Sequence, residues 1–314
     1  MTAAATTSVL ALTSAAIWGA ADFSGGIAAR YLRVYWLLAI SHGCSLVALV
    51  LMAWLLHNPF PNAHVLEWGL FSGVAGGSAL LTFYYALSLG DMGITAAVTG
   101  LLTAALPVVF TLTMISAPSH RQAAGFVLAA GAIWLISSQP GPDVKIGQAT
   151  TRDRRKKLAL AIVSGVGFGV YFIALRQANV GGLLWPLAAS RVTSLTMALG
   201  GGLLFSRKRF TVEPGGPPVW GDLQAASTDP KKKRGTEFWK IGVALAIVAS
   251  ICDTGGNFFF IAATRTGRLD VAAVLASLYP ASTILLAIWL LKERTTPRQA
   301  IGMTAALIAV ALIS

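Results

Sequence analysis

The chain has 314 residues, of which 55% are hydrophobic and only 11% are charged. Soluble domains carry about 25% charged residues, so this composition excludes an ordinary soluble fold. The formal net charge is +12, but the basic residues lie in loops and at helix ends, between apolar stretches. That placement indicates membrane topology and not a nucleic-acid partner.

Apolar stretches of about the length needed to cross a bilayer follow one another along the chain. They predict ten transmembrane helices, drawn at 7–29, 34–56, 65–88, 93–116, 121–138, 158–179, 182–205, 239–263, 268–291 and 297–313. The expected fold class is therefore an all-α polytopic membrane protein with ten transmembrane helices.

Two polar stretches interrupt this pattern. The first, 139–157, is rich in basic residues and divides the chain into 1–138 and 158–314. The second, 206–238, combines Pro and Gly with a run of basic residues. Its composition cannot bury enough apolar area to fold alone, so it predicts a flexible loop.

Lys and Arg are distributed unevenly between the two ends of the predicted helices. About nineteen follow odd-numbered helices, whereas the other ends carry Arg121, Arg176, Arg265 and Arg268. Because cytoplasmic loops retain positive charge during insertion, this count places the loops after odd-numbered helices in the cytoplasm and both termini outside.

The two halves of the chain resemble each other in sequence. Residues 36–46 align with 185–195 in the second helix of each half, with identity at six of eleven positions, and Pro107 aligns with Pro280 in the fourth. Five helices are an odd number, so the second copy must enter the membrane in the opposite sense. The sequence thus predicts two inverted five-helix repeats, the arrangement by which many carriers build two gates around one central site.

Three short motifs occur in a fixed order along these halves. They are Trp18-Gly19 followed by Asp-Phe-Ser-Gly-Gly at 22–26, the mid-helix Pro107 and Pro280, and Lys-Glu-Arg-Thr at 292–295 leading through Pro297 to Gln299 and Gly302. In this order the chain resembles the EamA family of the drug/metabolite transporter superfamily over essentially its whole length. The first half departs from the family pattern, because it reads Ser-Ala-Pro-Ser-His at 116–120 where the junction glutamate is expected.

The resemblance implies a ten-helix exporter or importer of amino acids, other metabolites or toxic compounds that works without ATP. It also implies cytoplasmic termini, which is opposite to the orientation that the charge count predicts. Substrates vary widely within the family, so none is carried over to this chain.

Four ionisable residues fall deep inside predicted helices, where charge is costly and usually faces a cavity, a partner or a substrate. They are Asp22, His42, Arg191 and Asp253. We hypothesise that Asp22 with His42, and Asp253 with Arg191, line the transport path, with the carboxylates exchanging a proton or a cationic substrate. Arg191 stays charged and suits an anionic group such as a carboxylate. Structural ion pairs that lock helices together are the alternative.

Aromatic walls with a few polar groups suit amphipathic small molecules. The predicted substrate site therefore also includes Trp18, Tyr84, Tyr171, Asn257 and Tyr279. Pro107 and Pro280 each remove one helical hydrogen bond and are predicted kink or gate positions, with tolerated kinks as the alternative.

Together these features predict a secondary active transporter that moves a small metabolite, amino acid-like or otherwise amphipathic, by alternating access. Proton coupling and solute exchange are both left open. No cofactor and no metal site are expected, since the four histidines are dispersed without metal-ligand spacing. The expected partners are the solute and the lipid bilayer of a bacterial inner membrane, and a homodimer is left open. A membrane-embedded enzyme or a non-transporting helical bundle is the alternative.

Overall fold

Long apolar stretches form helices throughout the computed structural model, which describes residues 3–29, 31–88, 92–114, 117–137, 151–178, 182–205, 234–291 and 296–313. The helices within these ranges are α1 (Ala3–Ala28), α2 (Val34–Leu55), α3 (Ala63–Ser88), α4 (Met92–Met114), α5 (His120–Ser137), α6 (Thr151–Ala178), α7 (Leu184–Phe205), α8 (Arg234–Thr266), α9 (Leu269–Ala276), α10 (Tyr279–Leu291) and α11 (Pro297–Ile313).

The described residues contain no strand. Five helical segments among them are long and apolar enough to cross a membrane: Ala3–Ala28, Val34–Leu55, Ala63–Phe83, Arg155–Ala178 and Trp239–Thr266. Shorter apolar segments are Val98–Met114, Leu269–Thr283 and Pro297–Ile313. The predicted all-helical membrane class is confirmed.

Two helices begin inside stretches predicted to be polar connections. Helix α6 begins at Thr151, inside the basic stretch 139–157, and α8 begins at Arg234, inside 206–238. Lys and Arg are good helix formers, so a helix that starts in the bilayer continues through its basic end into water. The remainder of both stretches, 139–150 and 206–233, lies outside the described residues.

The fifth helix of each half begins with a reciprocal capping arrangement. The Gln122 amide donates to Ser119 Oγ (3.3 Å) while the Ser119 amide donates to Gln122 Oε1 (3.2 Å). At α11, Thr296 and Gln299 repeat the same exchange at 3.0 and 3.3 Å. Each pair satisfies two amide groups that the first turn of a helix leaves without partners.

Two helix pairs that join the first and second halves of the chain are antiparallel. Helix α2 packs against α7 with Ser45 near Arg191 and Tyr35 near Gly201, and α5 packs against α11 with Arg121 near Ala311 and Ile136 near Gly302. Helix α1 is likewise antiparallel to α8, because Thr7 bonds Thr266 and the Ser14 hydroxyl donates to the Gly256 carbonyl (2.8 Å).

Parallel neighbours complete the bundle around the centre. Helix α7 runs alongside α3, where the Ser194 hydroxyl donates to the Gly73 carbonyl at 2.9 Å. A methyl group on Gly69 would lie 2.9 Å from the Ala189 Cβ, so this contact requires glycine. Small residues allow helix backbones to approach closely in lipid, where no hydrophobic effect draws helices together.

Candidate central solute site

A cavity of about 90 Å3 lies at the centre of the bundle, with room for several water molecules or a small solute. Helices α1, α2, α3, α4, α6, α7, α8 and α10 all contribute to its wall. Eight of the nine predicted substrate residues line it: Trp18, Asp22, His42, Tyr171, Arg191, Asp253, Asn257 and Tyr279. The ninth, Tyr84, has a side chain outside the described part of α3.

Arg191 is the most highly connected residue of the cavity. It lies on α7, is only 4% exposed, and forms an ion pair with Asp253 of α8 through Nη2. Its Nε donates to Ser45 Oγ of α2 at 3.1 Å. The hypothesised Arg191–Asp253 pair is therefore present, and it joins α7 to α8.

His42 pairs differently from the hypothesis. Its Nε2 lies 3.4 Å from Nη1 of Arg191, because α2 and α7 pack against each other at this depth. Within the described residues, no hydrogen bond or ion pair joins His42 to Asp22, and His42 Nδ1 is buried without a hydrogen-bond partner. The proposed Asp22–His42 pair is thus corrected to a His42–Arg191 contact.

Asn257 extends the network toward α6. Its Nδ2 donates to the Asp253 carbonyl (2.6 Å) and to Asp253 Oδ1 (3.2 Å), while its Oδ1 accepts a hydrogen bond from the Tyr171 hydroxyl. Tyr171 is 7% exposed and Asn257 only 1%. A continuous polar chain therefore runs from Tyr171 through Asn257 and Asp253 to Arg191, which fixes these side chains in place.

Trp18 and Phe172 form an aromatic wall of the cavity, and Phe260 packs against them. Trp18 stacks on Phe172 with ring centroids 5.3 Å apart and planes 7° from parallel, and Phe172 contacts Phe260 at 4.3 Å. The Trp18 ring also lies against Gly256 of α8. Such a wall gives an apolar solute body a flat, rigid surface.

A scan against protein-family models supplies the observation that decides the family. The model of the EamA-like transporter family matches residues 155–314, which is just over half of the chain. The chain belongs to the EamA-like transporter family.

The family, which is part of the drug/metabolite transporter superfamily, consists of membrane transporters. The predicted family is therefore confirmed, and the chain is an integral membrane protein. Twenty-three chains of solved structures match significantly. One, described only as "Crystal structure of protein", aligns with a TM-score of 0.68 and 15% identity over 99% of this chain and 96% of that one, a likeness that shows the fold alone. No curated protein matches the sequence significantly.

The EamA-like fold places the two aligned prolines in different surroundings. Pro107 lies inside the continuous helix α4. The ninth predicted helix is instead broken into α9 and α10 at Ser277 and Leu278, just before Pro280. Proline has no amide hydrogen and clashes with the preceding turn, which accounts for a break here.

Several residues of the cavity were not predicted. They are the hydroxyl residues Thr103, Ser190 and Ser194, and the apolar residues Leu80, Phe83, Phe168 and Phe172. In an apolar helix, a Phe or Ser that faces the cavity has the same local pattern as one that faces a neighbouring helix. Ser190 could have been found, because it directly precedes Arg191 and aligns with Ser41 in the internal repeat.

Proposed function

We propose that this EamA-like chain is a secondary active transporter that moves a small metabolite by alternating access. The transported solute binds in the central cavity, and two five-helix halves of opposite orientation open it to each side of the membrane in turn. The ten spans comprise α1–α8, the α9–α10 pair and α11. A bacterial inner membrane and an amphipathic or amino acid-like solute complete the proposal.

The directions of the helix pairs support the inverted arrangement. Equivalent helices α2 and α7 are antiparallel, as are α5 and α11, which is expected when two copies of one motif insert in opposite senses. The contacts between helices also follow the relation between the two halves. Helix α1 contacts α8 and α10, and its counterpart α6 contacts α3 and α4.

The observation that carries the proposal is the convergence of the deep polar residues on one cavity. Asp22, His42, Arg191 and Asp253 come from four different helices, and all four line the same space. Ionisable groups within membrane helices are rare because they are costly, and they mark paths for ions, protons and substrates. A bundle with no transport role would not require them to meet.

The coupling we propose is either to protons or to a second solute molecule. Asp22 is the candidate carrier of exchangeable charge, because no hydrogen bond or ion pair engages it among the described residues. Asp253 is neutralised by Arg191. A carboxylate without a counter-charge in the bilayer is stabilised when it binds a proton or a cation.

The proposed moving parts are the prolines of the fourth and ninth helices. Gly19 of α1 packs against α10 beside Pro280: a methyl group there would lie 2.9 Å from the Tyr279 carbonyl oxygen. Gly169, which follows Phe168 in α6 as Gly19 follows Trp18 in α1, packs against α4 beside Pro107, and a methyl group there would lie 2.6 Å from the Leu106 Cβ. These close contacts support a hinge role for the α9–α10 break and for Pro107.

Counterflow in proteoliposomes tests the proposal. Purified protein is reconstituted with candidate metabolites that stabilise it in a thermal-shift screen, and uptake of labelled solute against an unlabelled internal pool is followed. A transporter exchanges unmodified solute, whereas a membrane enzyme releases a changed product. Thr196→Ala, on the exposed face of α7, is the matched control for cavity variants.

A further inference from the structure

Three polar groups on residues that line the central cavity have no hydrogen-bond partner within the described residues. His42 Nδ1 and Ser190 Oγ are both buried and unpaired, in side chains that are only 4% and 1% exposed. The Asp22 carboxylate lines the same cavity. Buried polar groups are nearly always paired, so such a concentration in one cavity points to a ligand that pairs them.

The proton on His42 can be assigned from its neighbour. A guanidinium group only donates hydrogen bonds, so the His42 Nε2 that faces Nη1 of Arg191 acts as the acceptor. In the neutral ring, the proton then resides on Nδ1. His42 therefore offers the cavity a hydrogen-bond donor that is held in position by Arg191.

The positive charge of Arg191 is already balanced by Asp253. The Nε of Arg191 donates to Ser45, Nη1 faces His42 and Nη2 pairs with Asp253. The charges of Arg191 and Asp253 cancel, and Asp22, when it is ionised, leaves the described cavity lining one negative charge in excess. The expected complement is one positive charge, and an added carboxylate on the ligand would find no cation in this lining that lacks a counter-charge.

Resting on the proposed function, we propose that the cavity selects a small organic cation that carries a hydrogen-bond-accepting oxygen. The ammonium group binds the Asp22 carboxylate, and the oxygen accepts hydrogen bonds from His42 Nδ1 and the Ser190 hydroxyl. The apolar body of the solute packs against Trp18 and the neighbouring aromatic residues. A zwitterion with a free carboxylate is disfavoured at this site.

A matched set of four probes separates these contributions: phenylalaninol, phenethylamine, phenylalanine and 3-phenylpropanoate. They share a ring and a short chain, and differ in the cation, the neutral oxygen and the carboxylate. Binding to the purified full chain in lipid nanodiscs is measured by isothermal titration calorimetry at neutral pH. Phenylalaninol is expected to bind roughly 25-fold more tightly than phenethylamine, because each of the two neutral hydrogen bonds contributes about fivefold. Phenylalanine and 3-phenylpropanoate are expected to bind more weakly than either amine.

Two variants of His42 distinguish recognition from a structural role. In His42→Asn the amide nitrogen takes the place of Nδ1 and keeps the donor, whereas His42→Gln keeps an acceptor for Arg191 and loses the donor. The preference for phenylalaninol over phenethylamine is expected to survive in His42→Asn and to fall to about fivefold in His42→Gln. Ser190→Ala supplies an independent variant that is expected to reduce the same preference. Asp22→Asn is expected to weaken both amines alike and to remove their advantage over phenylalanine.

Tighter binding of phenylalanine than of both amines would overturn the proposal, as would absence of saturable binding of the amines. A preference for phenylalaninol that His42→Gln and Ser190→Ala both leave intact would also overturn it. Counterflow with the same probes separates this inference from the proposed function. If the probes bind in the expected order but are not exchanged, the selectivity proposed here is supported and the transport function is contradicted. If phenylalanine is exchanged in preference to the amines, transport is supported and the proposed selectivity is contradicted.

Discussion

The polar residues of the first half and those of the second half line one cavity but are held in different ways. In the second half, Arg191, Asp253 and Asn257 bond to one another and leave little capacity for a ligand. In the first half, Asp22 and the Nδ1 side of His42 have no described partner. In the proposed transporter, the two halves therefore divide two tasks, with Asp253 fixing helices and Asp22 available to the solute.

Removing Arg191 is expected to have the largest effect on this division. Arg191→Ala leaves Asp253 without a counter-charge inside the membrane, and breaking a buried ion pair costs about 3–5 kcal/mol. We expect a strong loss of thermal stability together with loss of transport. Replacing both partners, as Arg191→Met with Asp253→Leu, is expected to restore stability but not transport. Equal instability of the single and double variants would show that the pair is not what fixes α7 to α8.

Asp22→Asn is expected to have the opposite profile. Because no described residue depends on the Asp22 carboxylate, thermal stability should remain close to that of the wild type, while counterflow falls by about a hundredfold. The remaining uptake should no longer respond to an imposed pH gradient. Wild-type uptake with an unchanged pH response would remove Asp22 from the mechanism.

Gly19→Ala is expected to show a moderate loss of stability by separating α1 from α10. Its methyl group would lie 2.8 Å from the Thr283 amide nitrogen and 2.9 Å from the Tyr279 carbonyl oxygen. Overpacking of this kind costs about 1–3 kcal/mol. Gly26→Ala is the control on the same helix, because its methyl group meets nothing within 4 Å. Thermal unfolding in detergent should separate the two variants, and identical midpoints would contradict the tight α1–α10 contact.

Ser45→Ala is expected to have the smallest effect. The variant removes the acceptor of Arg191 Nε and the 2.6 Å hydrogen bond to Thr254, while the ion pair to Asp253 remains. A hydrogen bond to a charged group is worth about 1.5 kcal/mol and a neutral one about 1 kcal/mol. The smallest effect is therefore expected on transport: a moderate decrease in thermal stability with transport retained fits a supporting role, and complete loss of transport would place Ser45 in the site itself.

The helices and the polar residues of the cavity could be predicted from sequence because a bilayer imposes strong constraints. A span must be apolar, so a charge within it such as Asp22 or Arg191 stands out. The pairing of those charges could not be predicted in full. It depends on which helix faces which, and the packing of α2 against α7 brings His42 to Arg191 instead of to Asp22.

The aromatic wall of the cavity and the break in the ninth helix are two further features that could not be predicted from the sequence. Phe172 and Phe260 lie in apolar helices where a Phe toward lipid, a neighbour or the cavity fits equally well. The two aligned prolines gave the same signal, yet only the ninth helix is broken near its proline. Whether a proline kinks or breaks a helix depends on how the surrounding helices satisfy the freed backbone groups.

Accessibility of Ser190→Cys tests the alternating-access cavity most directly. The measurement uses a background of Cys44→Ser and Cys252→Ser, which removes the two native thiols. In sealed vesicles of each orientation, a membrane-impermeant thiol reagent should label the cavity cysteine from both sides, and a transported solute should protect it from both. Labelling from one side alone, under every solute condition, would contradict a transporter that opens this cavity to each side in turn.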